Sequence, residues 1–346
     1  MSYIKLKAAD LDGYLNNQDN QNLHKMNQLM EQANLIFKSY PSNKSEDKLI
    51  EIYNLIGEEL KKIIERENNI HVYSFETPSS VHGEASRLIA KLRNINTRQS
   101  EFIYYIQRAY ELLFNLAFTG KQQKKKNYIF IKTPVNIPVQ NYAVHKIPYV
   151  DDLIGNSIMC VMLRGALLPS MILSKEIQEF SSKNYITPFA LFKISRDDTK
   201  EEKNMEYILD LNKSYFSIDE LNGKDLFFAD PMNATGGSLV TIIKYLKDNN
   251  VKPRSIKFFN VISSLKGSLR INRALENIEI YTLWMDPALN KLAYILPGLG
   301  DAGDRINGTD SENYPRNIIQ LIADYGVSIC SLYRDQFVKI EQTVLG

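Results

Sequence analysis

The sequence predicts an α/β fold, with a mainly parallel sheet flanked by helices and a helical N-terminal extension before it. Three observations carry this. From about residue 128 the chain alternates short apolar runs, rich in β-branched and aromatic residues, with amphipathic stretches. Runs such as SIMCVML, KDLFFAD and SIKFFNVI are almost continuously apolar, as strands covered on both faces must be. The first 70 residues instead place their apolar side chains at helical spacing.

In that N-terminal part, Leu23, Met26, Leu29, Met30, Ala33, Ile36 and Phe37 form one stripe over residues 18–40. Leu49, Ile52, Tyr53, Ile56, Leu60, Ile63 and Ile64 form a second over residues 46–66, with Ser45 as N-cap. The connector SYPSNKS has turn chemistry. The two stripes predict a helical hairpin, docked on the body of the protein or on another subunit. Further helices follow at GEASRLIAKLRN and TRQSEFIYYIQRAYELLFNLAF. The basic run KQQKKKN, residues 121–127, is read as a solvated loop tip, with a phosphate-attracting patch as the alternative. Strands are expected at NYIFIKT, SIMCVML, ITPFALFKI, KDLFFAD, SIKFFNVI and IEIYTLW, with helices at SLVTIIKYLKDNN and GSLRINRALEN between them.

Composition narrows the function class. The 346 residues are 44% hydrophobic and 24% charged, as in ordinary globular proteins. A net charge of +2 gives no field that would recruit nucleic acid or a membrane surface. No apolar run reaches the ~18 residues that span a bilayer, and the N-terminus lacks the apolar core of a signal peptide. Cys160 and Cys330 sit apart in apolar context and fit buried thiols in a reducing, cytoplasmic setting.

Chemistry is expected where strands end, because ligands of parallel sheets bind outside the carboxyl ends of the strands. After KDLFFA the chain runs DPMNATGGS, residues 230–238, and enters a helix. Gly236 and Gly237 allow close backbone approach, Thr235 and Ser238 add hydroxyls, and the first helical amides have no internal partners. Such a loop can cradle an anion at a helix N-terminus. The plainer reading is a steric turn with Ser238 as the N-cap. The spacing G-x-x-x-x-G-K-[ST] is absent, and no G-x-G-x-x-G opens a helix. A second segment, YILPGLGDAGDR at 294–305, is too rich in Gly and Pro to read a ligand through side chains. It is either a surface turn or a loop whose backbone does the recognising.

Together these two motifs resemble uracil phosphoribosyltransferase, of the type I phosphoribosyltransferase family. DPMNATGGS resembles its loop for 5-phosphoribosyl 1-diphosphate (PRPP), in a single-acid form. PGLGDAGD after a tyrosine and two aliphatic residues is similar to its uracil-binding segment, and LRNINTRQSEFIYYIQRAYELL to its Thr-Arg segment and following helix. The similarity runs over about residues 80–312, and residues 1–70 have no counterpart. It implies the type I phosphoribosyltransferase fold over residues 71–346, with residues 1–70 as the helical extension.

The resemblance also implies roles. Asp230, Pro231, Met232, Asn233, Ala234, Thr235, Gly236, Gly237 and Ser238 hold the ribose hydroxyls and 5-phosphate of PRPP. Arg164, in SIMCVMLRGALLPS, and Arg196, at the start of a flap, meet the diphosphate. Ile295, Gly300, Asp301 and Ala302 meet uracil, with Asp301 also on the PRPP side. Arg164 and Asp301 are the implied catalytic residues, and Asp301 is the candidate for orienting the nucleophile; none of the four histidines falls in a matched motif. Two departures stand out: the family's Arg-Ala-Gly turn reads Arg164-Gly165-Ala166, and Asn233 replaces an aliphatic residue. The implied reaction converts uracil and PRPP to UMP and diphosphate in pyrimidine salvage. Mg²⁺ would be carried by PRPP rather than by direct protein ligands. A non-catalytic regulator sensing PRPP or UMP is the alternative, kept open by the altered turn. A homo-oligomer, dimer or tetramer, and GTP as an effector are further partners the resemblance admits.

Overall fold

The computed structural model describes residues 3–38, 43–119, 125–135, 142–197, 199–308 and 334–345. It opens with strand β1 (Tyr3–Lys7), short helix α1 (Ala8–Asp12) and the long helices α2 (Asn17–Phe37) and α3 (Asn43–Ile64). β2 (Ile70–Val72), α4 (Tyr73–Glu76), α5 (Ser79–Arg93) and α6 (Gln99–Phe118) follow. A hairpin of β3 (Lys126–Lys132) and β4 (Tyr142–Pro148) leads through α7 (Asp151–Ile154) to β5 (Ser157–Leu163) and α8 (Leu167–Phe180). Next come β6 (Phe189–Arg196), β7 (Glu206–Tyr215), α9 (Ile218–Leu221), β8 (Asp225–Ala229), β9 (Met232–Asn233) and α10 (Gly237–Asp248). β10 (Ser255–Ser264), α11 (Leu265–Ala274), β11 (Ile278–Asp286), β12 (Ala288–Leu289), β13 (Ile295–Leu296), α12 (Ala302–Asn307) and a helix at Arg334–Leu345 complete the described chain.

The main sheet has the order β1-β7-β6-β5-β8-β10-β11-β2, with β9 on β10. Its centre is parallel from β6 across to β2, and β7 and β1 add an antiparallel edge. β5 and β8 are buried along their whole length, which is why their sequences lack polar alternation. Helices α6 and α8 pack against each other on one face, and α10 and α11 contact sheet strands and one another.

The expected hairpin of α2 and α3 is present and docks on the body: Arg273 of α11 pairs with Asp19 of α2 (2.9 Å) and with Glu67 (2.6 Å). Ser45 lies inside α3, after its start at Asn43, and so does not cap it. The N-terminal residues are not only helical, since β1 forms the sheet edge beside β7. NYIFIKT is a strand but not a sheet strand. It pairs only with β4 in a separate ribbon, where Tyr128 is 56% and Phe130 72% exposed. Most of the KQQKKKN run lies outside the described residues, as does Cys330. Among the described residues no helix is long and apolar enough to cross a membrane.

Candidate active site

The loop at 230–238 is held from the strand beside it. β8 ends at Ala229, and the amide of Asp230 donates to Phe259 O of β10 (3.0 Å) while Asn260 Nδ2 donates to Asp230 O (3.0 Å). The Pro231 carbonyl accepts from Val261 and Ile262, which fixes the jog into β9. Ser264 then donates to Ala234 O, and Asn233 Nδ2 to Ser263 Oγ (2.7 Å). The backbone turns at Gly236, with φ of 77°, and α10 begins. An L side chain there would be strained and would also strike Gly267 O at 2.9 Å.

No side chain caps α10. Its N-cap is Gly236, so Ser238 sits one residue inside the helix instead of capping it. The first-turn amides thus face the cleft, where helix dipole and N–H groups together favour an anion. Among the described residues, only a marginal 3.5 Å contact from Gly237 N to Thr235 Oγ1 uses any of them.

A cleft of about 300 Å³ opens over this turn, lined by Met232, Asn233, Ala234, Thr235, Gly236, Gly237 and Ser238 together with Asp230, Arg164, Arg196 and Asp301. Eleven of the twelve residues expected around PRPP therefore share one cavity. Pro231 is not on its wall, since it is spent on holding β10. Asn233 is 2% exposed and its amide points to Ser263, so this residue supports the loop from behind.

Arg164 follows β5 and reaches toward α12, where Nη2 meets Asp304 Oδ1 at 2.6 Å and Nη1 donates to Gly308 O at 3.1 Å. In the altered turn, Gly165 passes so close to Gly303 that a Cβ would sit 3.2 Å from its Cα. Arg196, the last residue of β6, lies over the Tyr294 ring at 5.3 Å. Burial, with the Asp301 charge adding to it, pushes the Asp230 carboxyl up to about 7, although the Met232 amide and Arg196 pull the other way.

Beside this cleft a smaller cavity of about 190 Å³ is lined by Ile295, Gly300, Tyr294, Gly298 and Leu299, and shares Arg196, Met232 and Ala234 with it. Gly298 and Gly300 have φ of 63° and 75°, which glycine alone adopts freely. Arg305 ties the loop down, donating to Leu299 O (2.9 Å) and Asn94 O (2.9 Å) and stacking on Phe102 at 4.1 Å. Asp301 accepts from Asp304 N (2.9 Å) as the N-cap of α12. Ala302 is 1% exposed at the start of that helix and lines neither cavity.

Several residues of the site carried no motif. Asp286, 1% exposed at the end of β11, accepts from Gly298 N (2.9 Å) and pairs with Arg93 (2.5 Å). Arg270, wholly buried, bonds Asp12, Glu202 and the Thr235 carbonyl behind the phosphate loop. Tyr207 of β7 lines the larger cleft. Nothing in local sequence marks them, because each acts through contacts far along the chain.

An uncapped helix N-terminus, faced across a strand-end crevice by arginines and a backbone-built pocket, is the arrangement by which a parallel sheet can hold an anionic ligand. Residues 175–309 match the model of the uracil phosphoribosyltransferase family. Over 112 residues the chain is 39% identical to the uracil phosphoribosyltransferase of Lactococcus lactis, covering 32% of this chain and 50% of that protein. Over 96 residues it is 45% identical to that of Polaromonas naphthalenivorans, covering 28% and 45%. The chain thus spans about half the length of the curated relatives it matches. A solved structure of an Aquifex aeolicus protein is 22% identical, with a TM-score of 0.47, covering 66% of this chain and 96% of that one.

Proposed function

We propose that the protein transfers the phosphoribosyl group of PRPP to N1 of uracil, releasing diphosphate and UMP. One observation carries this reading: the uncapped start of α10 and the backbone-built pocket at 294–300 lie in adjoining cavities that share Arg196, Met232 and Ala234, so a phosphate and a base can be held side by side.

Each residue then has a task. The amides and hydroxyls of 234–238 hold the 5-phosphate, and Asp230 accepts from the ribose hydroxyls. Arg164 and Arg196 meet the diphosphate, whose negative charge grows as the bond to C1 breaks. Main-chain groups of Ile295 and Gly300 match the uracil edge, and the neighbouring amide at Ala302 begins the helix that positions Asp301. A 4-amino pyrimidine presents a donor where uracil presents an acceptor, and hydrogen-bonding pockets discriminate strongly against such exchanges. Catalysis by these residues is mainly positioning and charge stabilisation.

Mg²⁺ fits this donor set. Asp230 and Asp301 face one cleft, where burial first and the Asp301 charge only after it push the Asp230 carboxyl up, so a cation brought in on the substrate meets acidic walls there. The ion would be carried by oxygens of PRPP rather than by direct protein ligands, and it would neutralise diphosphate charge.

A crystal of the UMP complex tests the reading. The 5′-phosphate is expected on the 235–238 amides and the base against 295–302. UMP bound with its base elsewhere would overturn the assignment.

A further inference from the structure

We propose that Tyr207 is a further phosphate ligand of this site, its hydroxyl donating to the phosphate cradled by residues 234–238. The proposal rests on the reading of that loop as the 5-phosphate site and adds a residue outside it.

Tyr207 lies on β7, in register between Leu6 of β1 and Arg196 of β6. It is 1% exposed, yet it lines the phosphate cleft. Its ring lies close against the first residue of α10: a Cβ on Gly237 would come within 2.1 Å of Cζ, the carbon that bears the hydroxyl. Gly237 is therefore required by the tyrosine ring and not by a positive φ, and the phenol is set beside the amides of the first turn.

The hydroxyl has no hydrogen-bond partner among the described residues. It lies close enough to Thr235 to feel that side chain, without the geometry of a full bond. Tyr110, as fully buried as Tyr207, donates to Phe259 O at 3.4 Å, and the half-buried Tyr185 donates to Ser157 O at 2.6 Å. A buried polar group left unpaired calls for an explanation, and a ligand at the spot is one. Burial pushes the phenol up from its ordinary value, so it keeps its proton and acts as a donor. The charges of Arg270 and Arg196 nearby favour an anion there, against the opposing charge of Glu202. The loop itself contains no lysine, so neutral donors must complete the cradle.

The test is Tyr207→Phe, which keeps the ring against Gly237 and removes only the hydroxyl. PRPP and ribose 5-phosphate are titrated calorimetrically into both proteins, and ligand-free melting is recorded. A lost hydrogen bond to a charged group predicts both affinities weaker by about 10- to 100-fold. Melting should be unchanged or higher, because an unpaired buried hydroxyl has been removed. Equal affinity in the two proteins would overturn the contact and leave the proposed function standing. A wild-type protein that binds neither ligand would overturn both together.

Discussion

Arg270 and Asp12 stand 258 residues apart in sequence and are joined by two hydrogen bonds, from Nε at 3.0 Å and from Nη2 at 2.6 Å. The same guanidinium bonds Glu202 at 2.7 Å, ahead of β7, and the Thr235 carbonyl at 3.4 Å. One buried side chain thus links the N-terminal segment, the β6–β7 hairpin and the phosphate loop. Removing one member of a buried ion pair costs about 3–5 kcal/mol, because the partner charge is left uncompensated. Arg270→Ala is expected to lower the urea unfolding free energy by roughly that amount. Asp12→Ala, which leaves Glu202 in place, should cost about 1–2 kcal/mol and weaken PRPP more than uracil.

Gly267 supplies the second prediction. A Cβ there would lie 2.5 Å from the Ala234 carbonyl and 2.9 Å from Asn233 Oδ1, so Gly267→Ala must push the phosphate loop from behind. The KM for PRPP should rise by an order of magnitude or more, about 1.4 kcal/mol or beyond. Steady-state kinetics with each substrate varied in turn checks it.

How much of this was legible beforehand depends on how local each feature is. DPMNATGGS and YILPGLGDAGDR stood out as candidate sites because the anion cradle and backbone-built pocket proposed for them need particular residues at adjacent positions. Arg270, Asp286 and Tyr207 could not, since their partners come from distant strands and the residue types are ordinary. The ribbon at 126–148 shows the opposite error. A β-branched run reads the same whether it is buried in a sheet or exposed in a hairpin, and only pairing decides. β1 escaped notice because an edge strand of five residues leaves little periodicity to find.

Asp286 is expected to act on the base and not on the phosphate. Its carboxylate fixes the Gly298 amide and balances Arg93. Asp286→Ala leaves a buried amide and a charge unpaired, so the KM for uracil should rise roughly 10- to 100-fold. PRPP affinity should stay within about twofold of wild type. Equal losses for both substrates would mean that the whole cleft had collapsed.

Two carboxyls give stability a pH dependence of known sign. Burial pushes Asp230 up from 3.8 to about 7 and Glu176 up from 4.5 to about 7, the latter with help from the Glu111 and Glu179 charges. The folded protein therefore holds more protons than the unfolded chain between these limits, and stability from both groups falls as pH rises through that window. Asp230→Asn and Glu176→Gln should each flatten the fall. Urea midpoints across the window measure it, and an unchanged slope in both variants would remove these groups as its cause.

The central claim is tested most directly by UMP formation from labelled uracil and PRPP with Mg²⁺, with cytosine in parallel and with and without GTP. The account predicts turnover that depends on uracil and PRPP together and is blind to cytosine. No turnover under any of these conditions, while PRPP or UMP still binds, would contradict the enzyme reading and favour a protein that senses these ligands instead.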